Sequence, residues 1–268
     1  MTRLKTEWIE GINRGMQGLD RHVEAASNLS LFDMLCRIMT CNKEEAVKRL
    51  RDNKICVIPI TQGQGIIGEF SESIRGILSF IGANVEVSPK TDVSGMHYAI
   101  ENRCNIVYFA DDERYLAVDL KNFKSAENDF ATADAYIKIL LSMMKKHGRD
   151  EEEEILVIGL GRVGTEAVKI LREKNKNFKV YDKKISILNN TVCDKIKAKE
   201  EIKLYRNILD FTNEGAWLTK DLLAEDALIA TPGVPCSVDE ELKNALDKRL
   251  VNDFLEIGTI SMLGLLLR

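Results

Sequence analysis

A glycine-rich turn that follows a buried strand and opens a helix occurs twice in this sequence, and this repeat constrains the fold most. The first copy is Gly63-Gln64-Gly65-Ile66-Ile67-Gly68, after the apolar run 55–60. The second is Gly159-Leu160-Gly161-Arg162-Val163-Gly164, after the apolar run 155–158. Short continuous apolar runs are typical of strands buried on both faces of a parallel sheet. Strand, glycine turn and helix in this order predict α/β layers with right-handed crossovers in both halves.

The second copy predicts a dinucleotide site. The turn matches GxGxxG, and Asp182 ends the next predicted strand, where its carboxylate can accept hydrogen bonds from ribose hydroxyls. The same carboxylate repels a 2′-phosphate, which favours NAD over NADP, although Lys183 and Lys184 follow directly. A purely structural turn is the alternative interpretation. The cofactor residues predicted here are Gly159, Leu160, Gly161, Arg162, Val163, Gly164 and Asp182.

The first copy is ambiguous on spacing alone. Glu86 follows Gly63 at the spacing at which Asp182 follows Gly159, but Glu86 lies inside its predicted strand between two valines. In a dinucleotide site, the carboxylate that binds the ribose stands at the end of the second strand, as Asp182 does. We therefore expect the dinucleotide in the second half, and the first turn either cradles a substrate or packs a helix.

Polar residues at other predicted strand ends extend the second-half site, because ligands of doubly wound sheets bind at the carboxyl edge. Asp210 ends one strand, and Thr231-Pro232-Gly233-Val234-Pro235-Cys236 follows another. A plain turn explains the two prolines equally well. We expect Cys236 to line the site rather than attack a substrate, since no base is recognisably placed to activate it.

In the first half, Asp111 and Asp112 end the third predicted strand, and Asp92 and Ser94 lie in a loop after the second. Carboxylates beside a nicotinamide can hold a substrate ammonium and accept its proton. Each of these residues is also typical of a turn or a helix cap.

Composition restricts the class of protein. A net charge of −4 gives no basic field for nucleic acid. No apolar run approaches the roughly 18 residues of a membrane helix, and residues 1–10 lack the apolar core of a secretory signal. The six cysteines form no CxxC pair, and the three histidines are scattered. We expect a soluble cytoplasmic protein, reduced and without a metal.

The chain divides near residue 149, at the polar stretch 145–154. Residues 1–149 combine amphipathic helices over about the first 50 residues with an α/β layer, and residues 150–268 form a second α/β domain. We predict a last strand from about Leu250 to Leu255 and a C-terminal helix beginning near Ser261.

Several of these blocks, in this order, resemble the PylD family, the dehydrogenases of pyrrolysine biosynthesis. The resemblance rests most on Thr61–Ser71 with Asp92-Val93-Ser94-Gly95, and it extends to 110–112, 157–164, 231–236 and 257–263. Two places depart from the family pattern. Gln62 and Gln64 stand where smaller polar residues are typical, and Asp210-Phe211-Thr212-Asn213 replaces D-A-T-P.

The resemblance implies an enzyme that takes NAD and L-lysine-Nε-(3R)-methyl-D-ornithine and needs no metal. The terminal amine is oxidised to an imine or semialdehyde, which the moiety's own α-amine captures with loss of ammonia to close the pyrroline ring. The implied fold is α/β, with a helical N-terminal lead-in and two Rossmann-like parallel-sheet domains separated by a cleft, residues 1–149 for substrate and 150–268 for NAD.

The resemblance also implies residue roles. Asp111 is the carboxylate at the reacting amine. The implied substrate-binding residues are Thr61, Gly63, Gln64, Ile66, Asp92 and Ser94. The implied cofactor-binding residues beyond the glycine turn are Asp182, Asp210, Thr231, Pro232, Cys236, Gly258 and Thr259.

Two other functions stay open on the residues alone. One is a different NAD-dependent dehydrogenase acting on an amine, an amino acid or a hydroxy acid. The other is a regulator that binds NAD without turnover. Oligomeric state is also open, with a homodimer as one alternative.

Overall fold

The computed structural model describes residues 5–62, 69–184, 186 and 193–268. Contacts divide the chain into two compact units, the first of Met1–Asp20, Ser30–Thr132 and Phe254–Arg268 and the second of Arg21–Leu29 and Ala133–Asp253. The chain thus passes between units at Thr132 and Ala133, and its C-terminal residues return to the first unit. The predicted assignment of residues 1–149 to substrate and 150–268 to NAD stays a prediction.

The predicted helical lead-in is confirmed. Its helices are α1 (Thr6–Ile9), α2 (Ile12–Ser27), α3 (Leu31–Met39) and α4 (Lys43–Arg51). Helix α3 begins with a reciprocal cap, in which Ser30 Oγ accepts from the Asp33 N–H at 3.0 Å and Asp33 accepts from the Ser30 N–H. Six of its side chains are buried, which fixes this helix in the core of the first unit: Leu31, Met34, Leu35, Cys36, Ile38 and Met39.

The first unit carries a five-stranded sheet in the order β2-β1-β3-β4-β5. Its elements are β1 (Lys54–Val57), α5 (Phe70–Phe80), β2 (Asn84–Val87), α6 (Asp92–Glu101), β3 (Ile106–Ala110), β4 (Tyr115–Asp119) and β5 (Lys124–Glu127). Strands β2, β1 and β3 are parallel, as predicted. Strands β4 and β5 add an antiparallel hairpin, so this sheet is mixed rather than wholly parallel.

The hairpin was not predicted, because its strands do not form continuous apolar runs. In β4, buried and half-buried side chains alternate from Tyr115 to Asp119, as in a strand with one face in the core. Asp119 Oδ1 accepts the N–H groups of Lys121 and Asn122 and so closes the β4–β5 turn with a side chain.

The second unit contains a parallel sheet in the order β10-β9-β8-β6-β7. Its elements are α7 (Asn128–Lys146, which begins in the first unit), β6 (Ile155–Ile158), α8 (Arg162–Glu173), β7 (Phe178–Tyr181), β8 (Asn207–Asp210), β9 (Leu228–Thr231), α9 (Glu240–Leu246) and β10 (Leu250–Asn252). Every residue of β6, β8 and β9 is buried. The chain leaves β6 for β7 on one side and returns to β8 on the other, which makes the carboxyl end of β6 the switch point of the sheet.

The C-terminal helix α10 (Glu256–Leu266) begins well before Ser261, so its predicted start was wrong, and β10 ends at Asn252 rather than near Leu255. The carboxylate of Glu256 accepts the N–H groups of Phe254 and Leu255, which lets the helix begin in an apolar stretch. The helix packs against α3 in the first unit, where a Cβ on Gly264 would lie 2.8 Å from Ile38 Cγ2.

Candidate functional site

The glycine turn after β6 has the geometry that a dinucleotide fingerprint requires. Gly159 has φ +83°, a conformation that favours glycine, and its N–H donates to the Tyr181 carbonyl at 2.8 Å. Gly164 lies so close to the turn that a Cβ there would be 1.9 Å from the Gly159 carbonyl oxygen. Any larger residue at Gly164 would therefore force helix α8 away from the strand.

The N-terminus of α8 is open to a ligand. Gly161 is the N-cap residue and makes no side-chain cap, and a Cβ built on it would meet no atom of the described part of the chain within 4 Å. Arg162 and Val163 begin the first turn, and Leu160, which precedes the N-cap, is buried. First-turn N–H groups without an intrahelical partner, with the positive end of the helix dipole, suit a pyrophosphate.

Asp182 joins the glycine turn to the end of β7. Its Oδ2 accepts the Leu160 N–H and its Oδ1 accepts the Lys184 N–H, both at 2.8 Å. A carboxylate oxygen has two acceptor positions, so each oxygen keeps one for a ribose hydroxyl. Lys183, which the sequence placed beside this carboxylate, forms an ion pair with Glu214.

Asp210 is completely buried at the end of β8. Its Oδ1 accepts the Thr212 N–H at 2.9 Å, and the hydroxyl of Ser237 lies close enough to the carboxyl to favour its charged form. Burial raises the pKa of Asp210, because a charged carboxylate is costly where water is excluded.

The segment after β9 is fixed by a residue that the sequence did not single out. Thr231 is buried and its Oγ1 accepts the Gly233 N–H at 3.0 Å, while Asn252 Nδ2 donates to the carbonyls of Thr231 and Gly233. Asn252 ends β10, so its position at a strand end was the available signal. Cys236 is half-buried, and burial raises the pKa of its thiol; its place in lining a site stays a prediction.

One edge of the second sheet collects most of the predicted cofactor residues. In parallel strands the carboxyl ends meet at the same edge. The predicted residues that directly follow or end a strand there are Gly159 after β6, Asp182 after β7, Asp210 in β8, and Thr231 and Pro232 at β9. Their use in binding a cofactor stays a prediction.

Gly258 and Thr259 lie in α10, which belongs to the first unit and not to the unit that carries the glycine turn. A Cβ on Gly258 would lie 2.6 Å from Thr132 Oγ1, so this glycine permits close packing. Thr259 is buried, and its Oγ1 is hydrogen-bonded to Tyr115 Oη at 2.9 Å. Their predicted place beside the nicotinamide is not tested by these contacts.

The predicted substrate residues of the first unit divide into described and undescribed ones. Gly63, Gln64 and Ile66 lie outside the described residues. Asp92 accepts from the Thr61 N–H at 2.9 Å and from Thr61 Oγ1 at 2.8 Å. Both bonds hold the pKa of Asp92 below its usual value, and the bond from the Thr61 backbone N–H has the larger effect. Asp92 therefore anchors the beginning of the segment that contains the first glycine turn.

Asp92 and Ser94 were predicted in a loop, but they lie in the first turn of α6, so that detail was wrong. Ser94 is exposed. The run Asp92-Val93-Ser94-Gly95 has the composition of a turn. The buried Gly95 instead lets helix α6 lie close to Ile58, since a Cβ on this glycine would be 2.5 Å from Ile58 Cγ2. An acidic residue in the first turn also suits the helix dipole.

Asp111 follows the end of β3, as predicted, and is exposed. Its Oδ1 accepts the N–H groups of Glu113 at 2.8 Å and Arg114 at 2.7 Å, and these bonds close the β3–β4 turn. Its Oδ2 accepts no hydrogen bond from the described part of the chain. Asp111 thus caps a turn with one oxygen and keeps the other available.

Comparison with known proteins identifies the family. Residues 14–126 match the family model described as the N-terminal domain of the pyrrolysine biosynthesis protein PylD. The pyrrolysine synthase of Methanosarcina acetivorans is 32% identical over 98% of this chain and 98% of its own. The chain belongs to the PylD family of pyrrolysine synthases. A second member, from Methanosarcina barkeri, is 30% identical over 98% of this chain and 97% of its own.

Solved structures show the fold of this family member. Shikimate 5-dehydrogenase from Thermus thermophilus, in complex with shikimate, is 13% identical and superposes with a TM-score of 0.50 over 79% of this chain and 90% of its own. A bifunctional 5,10-methylenetetrahydrofolate dehydrogenase/cyclohydrolase from Thermoplasma acidophilum is 13% identical, with a TM-score of 0.51 over 94% and 95%. The predicted α/β, Rossmann-like fold class is confirmed. Among the described residues, no helix has both the length and the apolar character needed to cross a bilayer.

Proposed function

We propose that this chain is an NAD-dependent dehydrogenase that oxidises the terminal amine of L-lysine-Nε-(3R)-methyl-D-ornithine in the last step of pyrrolysine biosynthesis. The observation that carries this proposal is the membership of nearly the whole chain in the pyrrolysine synthase family. The intact glycine turn on a Rossmann-like sheet supports it, since this arrangement suits a dinucleotide.

The residues present fit NAD. The N-terminus of α8 would hold the pyrophosphate over Gly161, where no atom of the described residues fills the space of a side chain. Asp182 would hold the adenosine ribose, and its charge would disfavour a 2′-phosphate. Bound NAD supplies the hydride acceptor, and the protein supplies binding and orientation.

In this proposal Asp111 receives the proton of the substrate ammonium. Hydride leaves a carbon that bears a neutral amine more readily than one that bears an ammonium group, so the ammonium must first lose a proton. Because the turn bonds use only Oδ1, Oδ2 can face the ammonium directly or through water. Asp92 would act as a positioning residue, because it fixes Thr61 through both oxygens.

Ring closure needs little from the protein once the amine carbon has lost its hydride. The α-amine of the same moiety attacks the iminium carbon, and ammonia leaves as the ring closes. If water first converts the iminium into the semialdehyde, ammonia leaves at that step, and the later attack of the α-amine on the aldehyde expels water. The attacking amine is tethered to the electrophile, so the reaction is intramolecular and the entropic cost of bringing the groups together is small.

Incubation of the purified chain with NAD and methylornithyl-lysine tests the proposal, with NADH absorbance and product mass as readouts. We expect NADH formation in step with a product lighter by ammonia and two hydrogens. NADH formation only with another amine or a hydroxy acid would identify a different dehydrogenase. Binding of NAD without turnover of any of these compounds would instead indicate a regulator.

A further inference from the structure

Two cysteines and a glutamate meet in the sheet of the first unit. Cys56 in β1 and Glu86 in β2 are direct partners in the parallel register, so their side chains leave the same face of the sheet. Cys104 joins them from the segment between α6 and β3, where its N–H donates to the Ala99 carbonyl at the end of α6. The two sulfurs and a carboxylate oxygen all lie within 4.8 Å of one another.

The surroundings of this cluster distinguish it from a chance meeting of surface side chains. Cys56 is 0% exposed and Cys104 is 4% exposed, and both pack with Ile58, Ala99 and Val107. Burial raises the pKa of Cys56 to about 12 and raises that of Cys104 as well, so both are thiols in the free protein. Cys104 Sγ donates to Glu86 Oε1 at 3.5 Å.

Glu86 connects the cluster with solvent. Its side chain is 32% exposed, and its Oε1 lies 3.1 Å from Lys54 Nζ, which is exposed to a similar degree. The ion pair raises the pKa of Lys54, so the ammonium stays charged. A cation can reach the two buried sulfurs from the side of Glu86, provided that the ammonium of Lys54 moves aside.

We propose that Cys56, Cys104 and Glu86 form a binding site for a thiophilic d¹⁰ divalent cation, with zinc as the natural ion. Two thiolates at about 2.3 Å from one zinc stand about 3.8 Å apart, within the spread of this cluster. Cysteine sulfur and carboxylate oxygen are both zinc ligands, whereas calcium and magnesium prefer oxygen alone. Three protein ligands leave the fourth tetrahedral position to water.

Binding has a defined charge balance. The ion binds both sulfurs as thiolates, and the two thiol protons leave to solvent. The three anionic ligands and the divalent ion then carry a net charge of −1, and the ammonium of Lys54, which pairs with Glu86 in the free protein, turns to solvent once Glu86 binds the metal. Spacing along the chain predicted no metal, because these donors come from three separate elements that only strand register brings together.

Titration of the full-length, phosphine-reduced protein with Cd²⁺ tests this site, because cadmium bound to thiolates gives a charge-transfer absorption band. A second titration, with Zn²⁺ in competition with a chromophoric chelator, gives the affinity for zinc. We expect one ion per chain. Cys56→Ala, Cys104→Ala and Glu86→Gln should each lower the association constant at least about tenfold, because each removes a ligand. Lys54→Met should raise it, because no ammonium then competes for Glu86.

The matched controls are Cys41→Ala in the first unit and Cys193→Ala in the second, both half-exposed free cysteines outside the cluster. These control variants should leave the metal affinity and the charge-transfer absorption unchanged.

Circular dichroism of each variant without metal reports whether it is folded. If a buried cysteine variant unfolds, Glu86→Gln and Lys54→Met still test the site, because these two positions are partly exposed. Absence of a charge-transfer band, or a band that survives Cys104→Ala or is lost in Cys41→Ala, would overturn the site. NAD turnover is not a readout here, so this test and that of the proposed function succeed or fail separately.

Discussion

The backbone N–H of Leu160 donates to Oδ2 of Asp182 at 2.8 Å, which ties the glycine turn after β6 to the end of β7. The acid of the fingerprint is therefore a structural part of the turn as well as a candidate ribose ligand. Its second bond, from the Lys184 N–H, fixes the carboxylate in one orientation. A fixed carboxylate discriminates against a 2′-phosphate better than a mobile one, because it cannot turn away from the added charge.

NAD should bind at least tenfold more tightly than NADP, a difference of about 1.4 kcal/mol. The physical reason is repulsion between Asp182 and a 2′-phosphate, with the charge of Lys183 engaged by Glu214. Calorimetric titration with both dinucleotides measures the ratio. Glu214→Gln should reduce the preference, because it frees Lys183 to meet the phosphate. Equal or tighter binding of NADP to the parent protein would contradict the prediction.

Two glycines of the same turn should respond to substitution in opposite ways. Gly161→Val adds a side chain where the described residues leave open space, so stability should fall by no more than about 1 kcal/mol, the cost of valine at an N-cap, while NAD binding is lost. Gly164→Ala places a Cβ 1.9 Å from the Gly159 carbonyl oxygen and should cost about 1–3 kcal/mol of stability.

Urea unfolding and calorimetric NAD titration of both variants separate these effects. The control is Gly18→Ala in helix α2, where a Cβ also meets nothing within 4 Å and alanine should stabilise the helix slightly. A Gly161→Val variant that keeps the affinity of the parent for NAD would show that the pyrophosphate does not approach this turn.

The buried carboxyl of Asp210 should make stability decrease as pH rises. Burial raises its pKa in the folded state, so between the unfolded value near 3.8 and the folded value the native protein binds more protons than the unfolded chain. Its contribution to stability is then fully present below the unfolded pKa and is lost as pH rises through the folded pKa.

Asp210→Asn tests this dependence, because asparagine keeps an acceptor for the Thr212 N–H but has no charge. We expect the variant to gain stability relative to the parent at neutral pH and to lose that advantage in acid. Urea unfolding over a series of pH values gives both curves. The exposed Asp112→Asn is the control and should follow the parent. A parent and an Asp210→Asn variant with parallel curves would show that Asp210 does not titrate in this way.

The parts of the fold that depend on neighbouring residues were predictable from the sequence. The strand β6, its turn and helix α8 follow from a buried apolar run and three glycines, and the structure reproduces them within a residue. The hairpin of β4 and β5 was missed, because half of its side chains face away from the core and its pattern is not apolar enough to read as a strand.

Relationships between distant residues were harder to predict. Asn252 holds the segment after β9, and Cys56 meets Glu86, only because strand order and register bring them together. The return of α10 to the first unit likewise depends on tertiary packing, which no local pattern reports. For Asp111, the interpretation as a turn cap is confirmed by the bonds to Oδ1, whereas its role at the reacting amine stays a prediction.

The last prediction separates those two roles of Asp111. Asp111→Asn should preserve folding and NAD binding but lower turnover by about 10²-fold or more, because the amide keeps the Oδ1 acceptor for the turn but cannot take a proton. Asp111→Ala should in addition lose about 1 kcal/mol of stability, because both turn bonds disappear. Turnover at saturating substrate and thermal unfolding of both variants, with Glu44→Gln at an exposed position of α4 as the control, supply the measurements. If Asp111→Asn is well folded and turns over within about threefold of the parent, Asp111 only caps the turn, since loss of a proton acceptor costs far more than that. Asp92 or Asp112 would then be the next carboxylate to test.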